Sequence, residues 1–236
     1  MHPVLFEISG VAVYSYGFFV ALALLTAFWA SGRRAAHYGF SKKDASDLLF
    51  ILFAAGVAGA RLFFIVQNPG DYLAHPWKVF FLREGGLVWY GGFFGAAAAG
   101  IAYARWKKWP LLKACDLFAP VLALAHGVGR IGCFLNGCCY GKEAAGFRHP
   151  VQLYEAGVLF VLSLSLFSFS GRLKDREGAL FACYLFLYGV LRFTLEFWRG
   201  DQALFAGLTP PQWMSLLLVA GSLILFQSVF RKNAKG

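Results

Sequence analysis

Residues 126–141, HGVGRIGCFLNGCCYG, combine side chains that bind anions with side chains that exchange protons. Arg130 follows His126 by four residues, so the two side chains share one face if this segment is helical. A guanidinium group binds phosphate through two parallel hydrogen bonds and tolerates partial desolvation. An imidazole gains or loses its proton near neutral pH. The segment therefore indicates a site for an anionic group, with a candidate proton acceptor beside it.

Five glycines interrupt the same segment, at positions 127, 129, 132, 137 and 141. Glycine suits positions where the backbone bends or where a ligand approaches closely. Irregular backbone at membrane depth is tolerated only where it is buried in protein or lines a cavity. We therefore expect the helix that enters this segment to end near residue 131, and the residues after it to line a cavity.

A second group of charged side chains lies in residues 184–200, YLFLYGVLRFTLEFWRG. At 100° per residue, five polar side chains fall within an arc of about 120° on one helix face: Tyr184, Tyr188, Arg192, Glu196 and Arg199. Arg192 and Glu196 are four residues apart and can form a purely structural ion pair. Two arginines nevertheless face one glutamate, and the surplus positive charge favours an anionic ligand.

Arginines within apolar segments require compensation, because one near the centre of a bilayer costs about 2.5–3.5 kcal/mol on insertion scales. Such a charge marks a functional site by default, and the alternative is that it reaches the headgroups or pairs with an acid. Two carboxylates are candidate counter-ions, Asp116 and Glu155, and we favour that role over direct chemistry. The arginines concerned are Arg61, Arg130, Arg192 and Arg199.

Three cysteines close the segment with the spacing C-x4-C-C, at Cys133, Cys138 and Cys139. Zinc and iron–sulfur sites more often use paired C-x2-C ligands, so the spacing favours metal binding only weakly, and no metal is expected. A disulfide from Cys133 to one of the adjacent pair is an alternative in an oxidising compartment. The third interpretation is that three small polarizable side chains pack a tight loop.

The elements that position these residues are membrane helices, because 59% of the 236 residues are hydrophobic and 14% are charged. Soluble domains have roughly a quarter of their residues charged. Apolar runs of about 20 residues, enough to cross a bilayer, recur along the whole chain. We predict an all-α polytopic membrane protein forming one domain over residues 1–236, with about seven spans: 11–30, 47–66, 88–104, 115–131, 153–170, 178–199 and 212–230.

The basic residues predict the orientation of these spans. Of the 22 basic residues, 14 lie in loops that follow the first, third, fifth and seventh spans: Arg33, Arg34, Lys42, Lys43, Arg105, Lys107, Lys108, Lys113, Arg172, Lys174, Arg176, Arg231, Lys232 and Lys235. The positive-inside rule makes that side cytoplasmic, with the N-terminus outside and the C-terminus inside. The net charge of +10 is therefore explained by topology and the lipid bilayer, and nucleic acid is not an expected partner. The first residues lack a cleavage site, so the first span is expected to be retained.

Residues 129–141, GRIGCFLNGCCYG, resemble the signature G-R-x-G-N-F-x-N-x-E-x-x-G of the prolipoprotein diacylglyceryl transferase family. The matching residues are Gly129, Arg130, Gly132, Phe134, Asn136 and Gly141. Cys133 and Cys138 stand where the signature has asparagine and glutamate. Other segments resemble family landmarks in the same order: YSYG with Tyr16, GAR with Arg61, GGLVWYGGFFG (85–95), DLFAP with Asp116, HPVQLYE (149–155), YGVLRFTLEFWR (188–199) and LTPPQWMS (208–215).

The resemblance implies that the diacylglyceryl group of phosphatidylglycerol is transferred to the lipobox cysteine thiol of a prolipoprotein in the bacterial inner membrane. It implies no cofactor. Arg130 and Arg192 are the candidates to neutralise the phosphate leaving group. The candidates for substrate binding are Tyr16, Arg61, Asn136, Gly141, Glu196 and Arg199, together with Arg130.

The acceptor thiol must lose its proton, and three alternatives remain for the group that accepts it. Many family members have a histidine before the G-G pair of the third span, where this chain has Tyr90. A phenol with a pKa of about 10 is a poor base near neutral pH unless arginines lower that pKa. His126 is the second candidate, although Arg130 beside it disfavours its protonation. Substrate-assisted or unassigned deprotonation is the third.

The two departures from the signature keep rival functions open. The chain is alternatively a variant or paralogue that binds or translocates an anionic lipid or solute without this transfer. Arginines in broken helices also suit an anion transporter, although no related halves are visible in the sequence. A thiol oxidoreductase using Cys138 and Cys139 would more naturally carry C-x-x-C.

Overall fold

The computed structural model describes residues 2–8, 10–81, 85–144, 146–200 and 204–233, and Lys235 of the predicted basic loops lies outside them. Within these ranges the chain is mostly helical, as predicted. The α-helices are α1 (Ser15–Arg34), α2 (Lys42–Gln67), α3 (Pro69–Ala74), α4 (Trp89–Trp106), α5 (Leu111–Asn136), α6 (Val151–Leu173), α7 (Ala179–Glu196) and α8 (Pro210–Asn233). Two antiparallel strand pairs were not predicted: β1 (Val4–Ile8) with β2 (Val11–Tyr14), and β3 (Glu143–Ala144) with β4 (Phe147–Arg148).

Six helices in the described ranges are long and apolar enough to cross a membrane. They are α1 with the 3-10 turn that follows it, α2, α5, α6, α7 and α8. Each overlaps one predicted span, so the prediction of a multi-pass membrane protein is confirmed. The mean hydropathy is highest in α2, at 2.3, and α2 reaches 26 residues, more than the roughly 20 that a bilayer requires.

The remaining predicted span, 88–104, coincides with α4, which has 18 residues but is not among the six. Its glycines serve close packing against α2. A Cβ atom on Gly91 would collide with the backbone carbonyl of Gly59, and one on Gly95 would lie 2.6 Å from the carbonyl oxygen of Ala55. Small residues permit this backbone approach between helices, as in other membrane helix pairs.

Two compact units divide the chain, Met1–Arg34 with Cys115–Gly236, and Ala35–Ala114. The core of the first unit lies between α5, α6 and α7. Its buried apolar residues are Ala119, Ala123, Leu159, Leu162, Leu166, Leu180 and Tyr184. Close packing of these side chains fixes the three helices against one another, and with them the polar residues that they carry. A single domain over residues 1–236 stays a prediction.

Helix α5 continues through the glycine-rich segment, so the expected helix end near residue 131 is wrong. The helix ends at Asn136, and Gly137 adopts a φ of 79°. A Cβ atom on Gly132 would lie 2.7 Å from Cβ of Phe19 in α1, and one on Gly127 would lie 2.8 Å from the Phe160 ring in α6. Packing against neighbouring helices outweighs the roughly 1 kcal/mol helix penalty of each glycine.

Asp116 holds the beginning of α7. Its carboxylate oxygens accept hydrogen bonds from the backbone N–H groups of Gly178, at 2.6 Å, and Phe181, at 2.7 Å. A carboxylate at a helix N-terminus satisfies amides that have no partner within the helix and interacts favourably with the helix dipole. Asp116 therefore caps α7 in place of the predicted counter-ion role for an arginine.

Candidate active site

The carboxylate of Glu155 lies where α5, α6 and α7 meet, and only 1% of its residue surface is exposed. Its Oε1 atom is 3.0 Å from Nη2 of Arg130 and 3.6 Å from Nε2 of His126. Its Oε2 atom is 3.9 Å from Nη1 of Arg192. The predicted counter-ion role of Glu155 is thus confirmed, and His126 and Arg130 share one helix face as expected.

The predicted polar stripe of α7 is also present. Nη2 of Arg192 lies 2.8 Å from Oε2 of Glu196, and Nε of Arg199 lies 3.9 Å from the same oxygen. All three residues are buried. Arg192 therefore lies between two carboxylates, Glu196 on its own helix and Glu155 on α6.

This network brings the guanidinium groups of Arg130, Arg192 and Arg199 to the carboxylates of Glu155 and Glu196. Several of its buried atoms lack an aligned hydrogen bond among the described residues, namely Nε of Arg130, Nη1 of Arg192, Oε1 of Glu155 and both oxygens of Glu196. Nη1 of Arg192, Oε1 of Glu155 and Oε2 of Glu196 nevertheless lie within ion-pair distance of an opposite charge. Buried polar atoms without partners cost roughly 1–3 kcal/mol each, so a ligand that pairs with them gains that energy.

Aromatic rings line the network on the α7 side. The ring of His126 meets Tyr188 edge to face, with ring centroids 5.4 Å apart. Tyr188 in turn stacks on Tyr184 at 5.8 Å. These rings exclude water from one side of the charged groups, which strengthens electrostatic interactions within the network.

The turn after α5 brings three thiols together. The Sγ atoms of Cys133, Cys138 and Cys139 all lie within 4.8 Å of one another, and all three are free. The disulfide from Cys133 to the adjacent pair, one of the three alternatives, is therefore not formed. Two positive φ angles produce this turn, 79° at Gly137 and 60° at Cys139. The side chain of Gln152 supports it by donating a hydrogen bond from Nε2 to the Cys138 carbonyl at 2.7 Å.

The thiol of Cys139 lies outside the helices and has a pKa well below its usual range. A hydrogen bond from the Cys133 thiol is the main cause, opposed by burial and assisted by the positive charges of Arg199 and Arg130. Thiolate is the nucleophilic and metal-binding form of cysteine. The lowered pKa therefore favours the thiolate form of Cys139.

Three of the predicted substrate-binding residues surround this turn. Gly141 donates its N–H to the His149 carbonyl at 3.1 Å and pairs with Arg199, and a Cβ atom on it would lie 2.6 Å from that carbonyl oxygen. Asn136 is the last residue of α5 and is exposed. The Cα atom of Tyr16, at the beginning of α1, lies 3.6 Å from where a Cβ on Gly132 would be.

The sequence profile of prolipoprotein diacylglyceryl transferase matches residues 3–228. The chain belongs to this family. It is 33% identical over 251 residues to the phosphatidylglycerol–prolipoprotein diacylglyceryl transferase of Clostridium tetani (strain Massachusetts / E88), covering 99% of this chain and 100% of that protein. It is 32% identical to transferase 2 of Clostridium perfringens (strain 13 / Type A), covering 96% of this chain and 94% of that protein. It is also 32% identical to the Verminephrobacter eiseniae (strain EF01-2) transferase, covering 98% and 94%.

In this member of the diacylglyceryl transferase family, Arg61 belongs to the second unit and is 5% exposed. Its Nε donates a hydrogen bond to the Val79 carbonyl at 3.1 Å, and its Nη1 donates to the Gly85 carbonyl at 2.8 Å. Nη2 donates to the Lys78 carbonyl. The guanidinium group is thus engaged by the backbone of the segment that leads into α4, and contact with a substrate stays a prediction.

Tyr90 is the second residue of α4, also in the second unit. Its ring meets Trp89 edge to face at 5.4 Å, and 40% of its surface is exposed. A role as base stays a prediction for this tyrosine and for His126.

Gln152 is a further residue of the candidate site in this transferase-family chain, and it was not predicted from the sequence. Gln152 is 2% exposed, and its Oε1 atom is buried without a partner among the described residues. It lies one residue after Val151, where α6 begins, three residues before Glu155. A glutamine and a glutamate in the first turns of an apolar helix are unusual, and this pattern could have indicated both Gln152 and Glu155 as site residues.

Proposed function

We propose that this chain transfers the diacylglyceryl group of phosphatidylglycerol to the lipobox cysteine thiol of a prolipoprotein and releases glycerol phosphate. One observation carries the proposal: Arg130 and Arg192, on different helices, converge on the buried carboxylate of Glu155. The relatives' names state this substrate pair for those proteins, and the same chemistry suits the charged network of this chain.

The guanidinium groups of Arg130 and Arg192 are the proposed binding site for the lipid phosphate. Nε of Arg130 and Nη1 of Arg192 are buried donors without aligned hydrogen bonds, and phosphate oxygens satisfy such donors. Charge develops on the phosphate as it leaves, and preorganised guanidinium groups stabilise that charge without further reorganisation. Glu155 keeps the two arginines in place before the lipid arrives.

Glu196 is the proposed partner of the headgroup glycerol. Its Oε2 atom faces Arg192, whereas its Oε1 atom is buried without an aligned hydrogen bond among the described residues, and hydroxyl groups donate to such oxygens. Arg199, beside Glu196, completes this side of the pocket. A headgroup carrying both a phosphate and hydroxyl groups thus matches the unsatisfied donors and acceptors together.

In the proposed reaction, the acceptor sulfur forms a bond to the glyceryl carbon as the bond from that carbon to the phosphate oxygen breaks. The electron pair of the breaking bond stays on the phosphate, between Arg130 and Arg192. The thiol proton must be removed first, by His126, by Tyr90 or by another route. Tyr16, Asn136 and Gly141 are proposed to contact substrate around the turn after α5, and Arg61 to shape its own segment.

We further propose that α4 is the seventh span and that the chain forms one membrane domain. The N-terminus then faces outward and the C-terminus faces the cytoplasm, in the bacterial inner membrane. This orientation is supported by basic residues in the last turns of two helices, Arg33 and Arg34 in α1 and Arg105 in α4.

The test uses purified, reduced protein with radiolabelled phosphatidylglycerol and a lipobox peptide. The expected product is the peptide carrying the labelled diacylglyceryl group, together with glycerol phosphate. A peptide with serine in place of the lipobox cysteine is the matched substrate control. If folded protein binds the labelled lipid but forms no lipidated peptide, the transfer is refuted in favour of a variant that only binds or translocates an anionic lipid.

A further inference from the structure

Two of the three clustered thiols, Cys133 and Cys138, stand where the family signature has asparagine and glutamate. The fold places them with Cys139 at one point, all Sγ atoms within 4.8 Å of one another. The spacing C-x4-C-C alone did not predict this proximity, because the proximity depends on the positive φ angles of Gly137 and Cys139. The three cysteines are half-buried, and they lie at and just after the end of α5, three to nine residues beyond Arg130.

The geometry suits a metal ion better than a disulfide. A disulfide joins two sulfurs at about 2.05 Å and leaves the third thiol unused. Zinc–sulfur bonds of about 2.3 Å place the sulfurs of a tetrahedral site about 3.8 Å apart. The observed spread below 4.8 Å needs only small side-chain rotations to reach that arrangement. Soft thiolate ligands select zinc and monovalent copper over hard cations.

We propose that Cys133, Cys138 and Cys139 bind one zinc ion, and that its open fourth position binds the acceptor thiol of the prolipoprotein. This inference rests on the proposed transfer reaction. Three protein ligands and one exchangeable position are the arrangement of catalytic zinc sites. A thiol that coordinates zinc is deprotonated outright. In this proposal the zinc ion therefore activates the acceptor thiol, the step for which no base was assigned.

The surrounding charges support a zinc–thiolate group at this turn. Zn²⁺ offsets two of the three thiolate charges, which leaves one negative charge on the site. Arg130 precedes Cys133 by one helical turn, and Arg199 pairs with Gly141 two residues after Cys139. The anionic site thus lies beside guanidinium groups rather than in apolar surroundings.

The proposed step conserves atoms and charge and involves no oxidation. The acceptor S–H bond breaks as its sulfur replaces water on zinc, and the proton passes to solvent water. The sulfur lone pair then forms the bond to the glyceryl carbon, and the carbon–oxygen bond breaks toward the phosphate. The product is a neutral thioether, which is a poor zinc ligand and leaves the fourth position free for water.

Cobalt substitution tests the metal site independently of activity. Purified full-length protein is reduced with a phosphine, stripped with a chelator and titrated with Co²⁺. We expect thiolate-to-cobalt charge-transfer absorption that saturates at one equivalent per chain. The triple variant C133S/C138S/C139S should lose it, and the matched control C115S/C183S should keep it. Absence of the absorption in the wild type, or equal absorption in the triple variant, overturns the inference.

The fourth position is tested by adding the lipobox peptide to the cobalt protein. The cysteine peptide should change the cobalt spectrum, and the serine peptide should not. A cysteine peptide that leaves the spectrum unchanged overturns the role of the fourth position. If the triple variant fails to fold, as judged by gel filtration and circular dichroism, the single variant C138S takes its place.

The transfer assay separates this inference from the function on which it rests. Chelation should lower transfer at least tenfold, and added Zn²⁺ should restore it in the wild type but not in the serine variant. Full transfer by metal-free protein overturns the zinc inference and leaves the proposed function intact. No transfer by zinc-loaded wild type that binds phosphatidylglycerol refutes the proposed function, while the cobalt spectrum still decides whether the metal site exists.

Discussion

Arg130 of α5 and Arg192 of α7 contact the same carboxylate, that of Glu155, at 3.0 Å and 3.9 Å. Arg192 also pairs with Glu196 on its own helix, at 2.8 Å. Glu155 is therefore the residue that connects the two arginines, because it joins the Arg192–Glu196 pair of α7 to Arg130 of α5.

Replacing Arg192 with lysine should lower transfer by about 100-fold, the effect of removing one preorganised donor from an oxyanion site. Lysine keeps the charge but cannot reach Glu196 and a phosphate through one planar group. The assay is lipidation of the lipobox peptide under saturating phosphatidylglycerol. The matched control is Arg172→Lys at the end of α6, which should keep full activity. Equal transfer activity of the two variants would show that Arg192 is not part of the site.

Replacing Glu155 with glutamine should lower the free energy of unfolding by about 3–5 kcal/mol, the typical effect of breaking a buried ion pair. The change leaves Arg130 and Arg192 together without their shared counter-ion. Thermal unfolding in detergent measures it, with Glu177→Gln in the loop before α7 as the control. The double variant E155Q/R130Q should recover part of the loss, because its two effects are coupled. Strict additivity would show that the two side chains act independently.

Two glycines of α5 offer a matched pair for a stability measurement. Gly132→Ala should destabilise the protein by about 1–3 kcal/mol, because its new methyl group overlaps Phe19. Gly129→Ala should be neutral or stabilising by up to about 1 kcal/mol, since alanine favours helix and the described residues leave open space there. Thermal unfolding of both variants checks the order. A Gly129→Ala variant less stable than Gly132→Ala contradicts the packing of α1 on α5.

Alkylation of Cys139 in reduced, metal-free protein should remain fast as pH falls below 8. Its lowered pKa keeps the thiolate populated, whereas an ordinary thiol with a pKa of about 8.5 loses reactivity about tenfold per pH unit. Mass spectrometry after iodoacetamide pulses measures the rate at this residue. In Cys133→Ser the hydroxyl is a different donor, and the apparent pKa of Cys139 should shift. A wild-type profile centred near pH 8.5 would refute the lowered pKa.

Replacing Arg61 with lysine should loosen residues 78–81. The lysine ammonium has no planar fork, so it cannot bind the carbonyls of Val79 and Gly85 together as Nε and Nη1 do. Hydrogen exchange should become faster in this segment and remain unchanged in α7. Exchange that is unaffected by the substitution would show that other contacts hold the segment.

Hydropathy and helical periodicity were sufficient to predict most of the fold and the contacts within single helices of the candidate site. The i, i+4 spacing of Arg192 and Glu196 predicted their ion pair, and the same spacing placed His126 with Arg130. These are local relationships, which a helix of known pitch determines by itself. The partner that joins the two helices, Glu155, was predicted only as one of two candidate acids, because pairing between helices depends on packing.

The incorrect sequence predictions concern features that depend on packing between segments or on the local backbone conformation. The glycines of α5 indicated a broken helix, but Phe19 and Phe160 fill the grooves that those glycines leave. Asp116 was expected to pair with an arginine, but it caps α7 across a sequence separation of 62 residues. The proximity of the three thiols depends on left-handed backbone at Gly137 and Cys139, a conformation that cysteine rarely adopts.

The cap formed by Asp116 has a consequence for the far end of the same helix. It fixes both the height and the rotational phase of α7 against α5, about four turns before Arg192 reaches Glu155. A slip of one residue would turn Arg192 by about 100° and shift it by about 1.5 Å. The Asp116 carboxylate therefore sets the position of Arg192 relative to Glu155, and an insertion anywhere between residues 182 and 191 should separate Arg192 from Arg130.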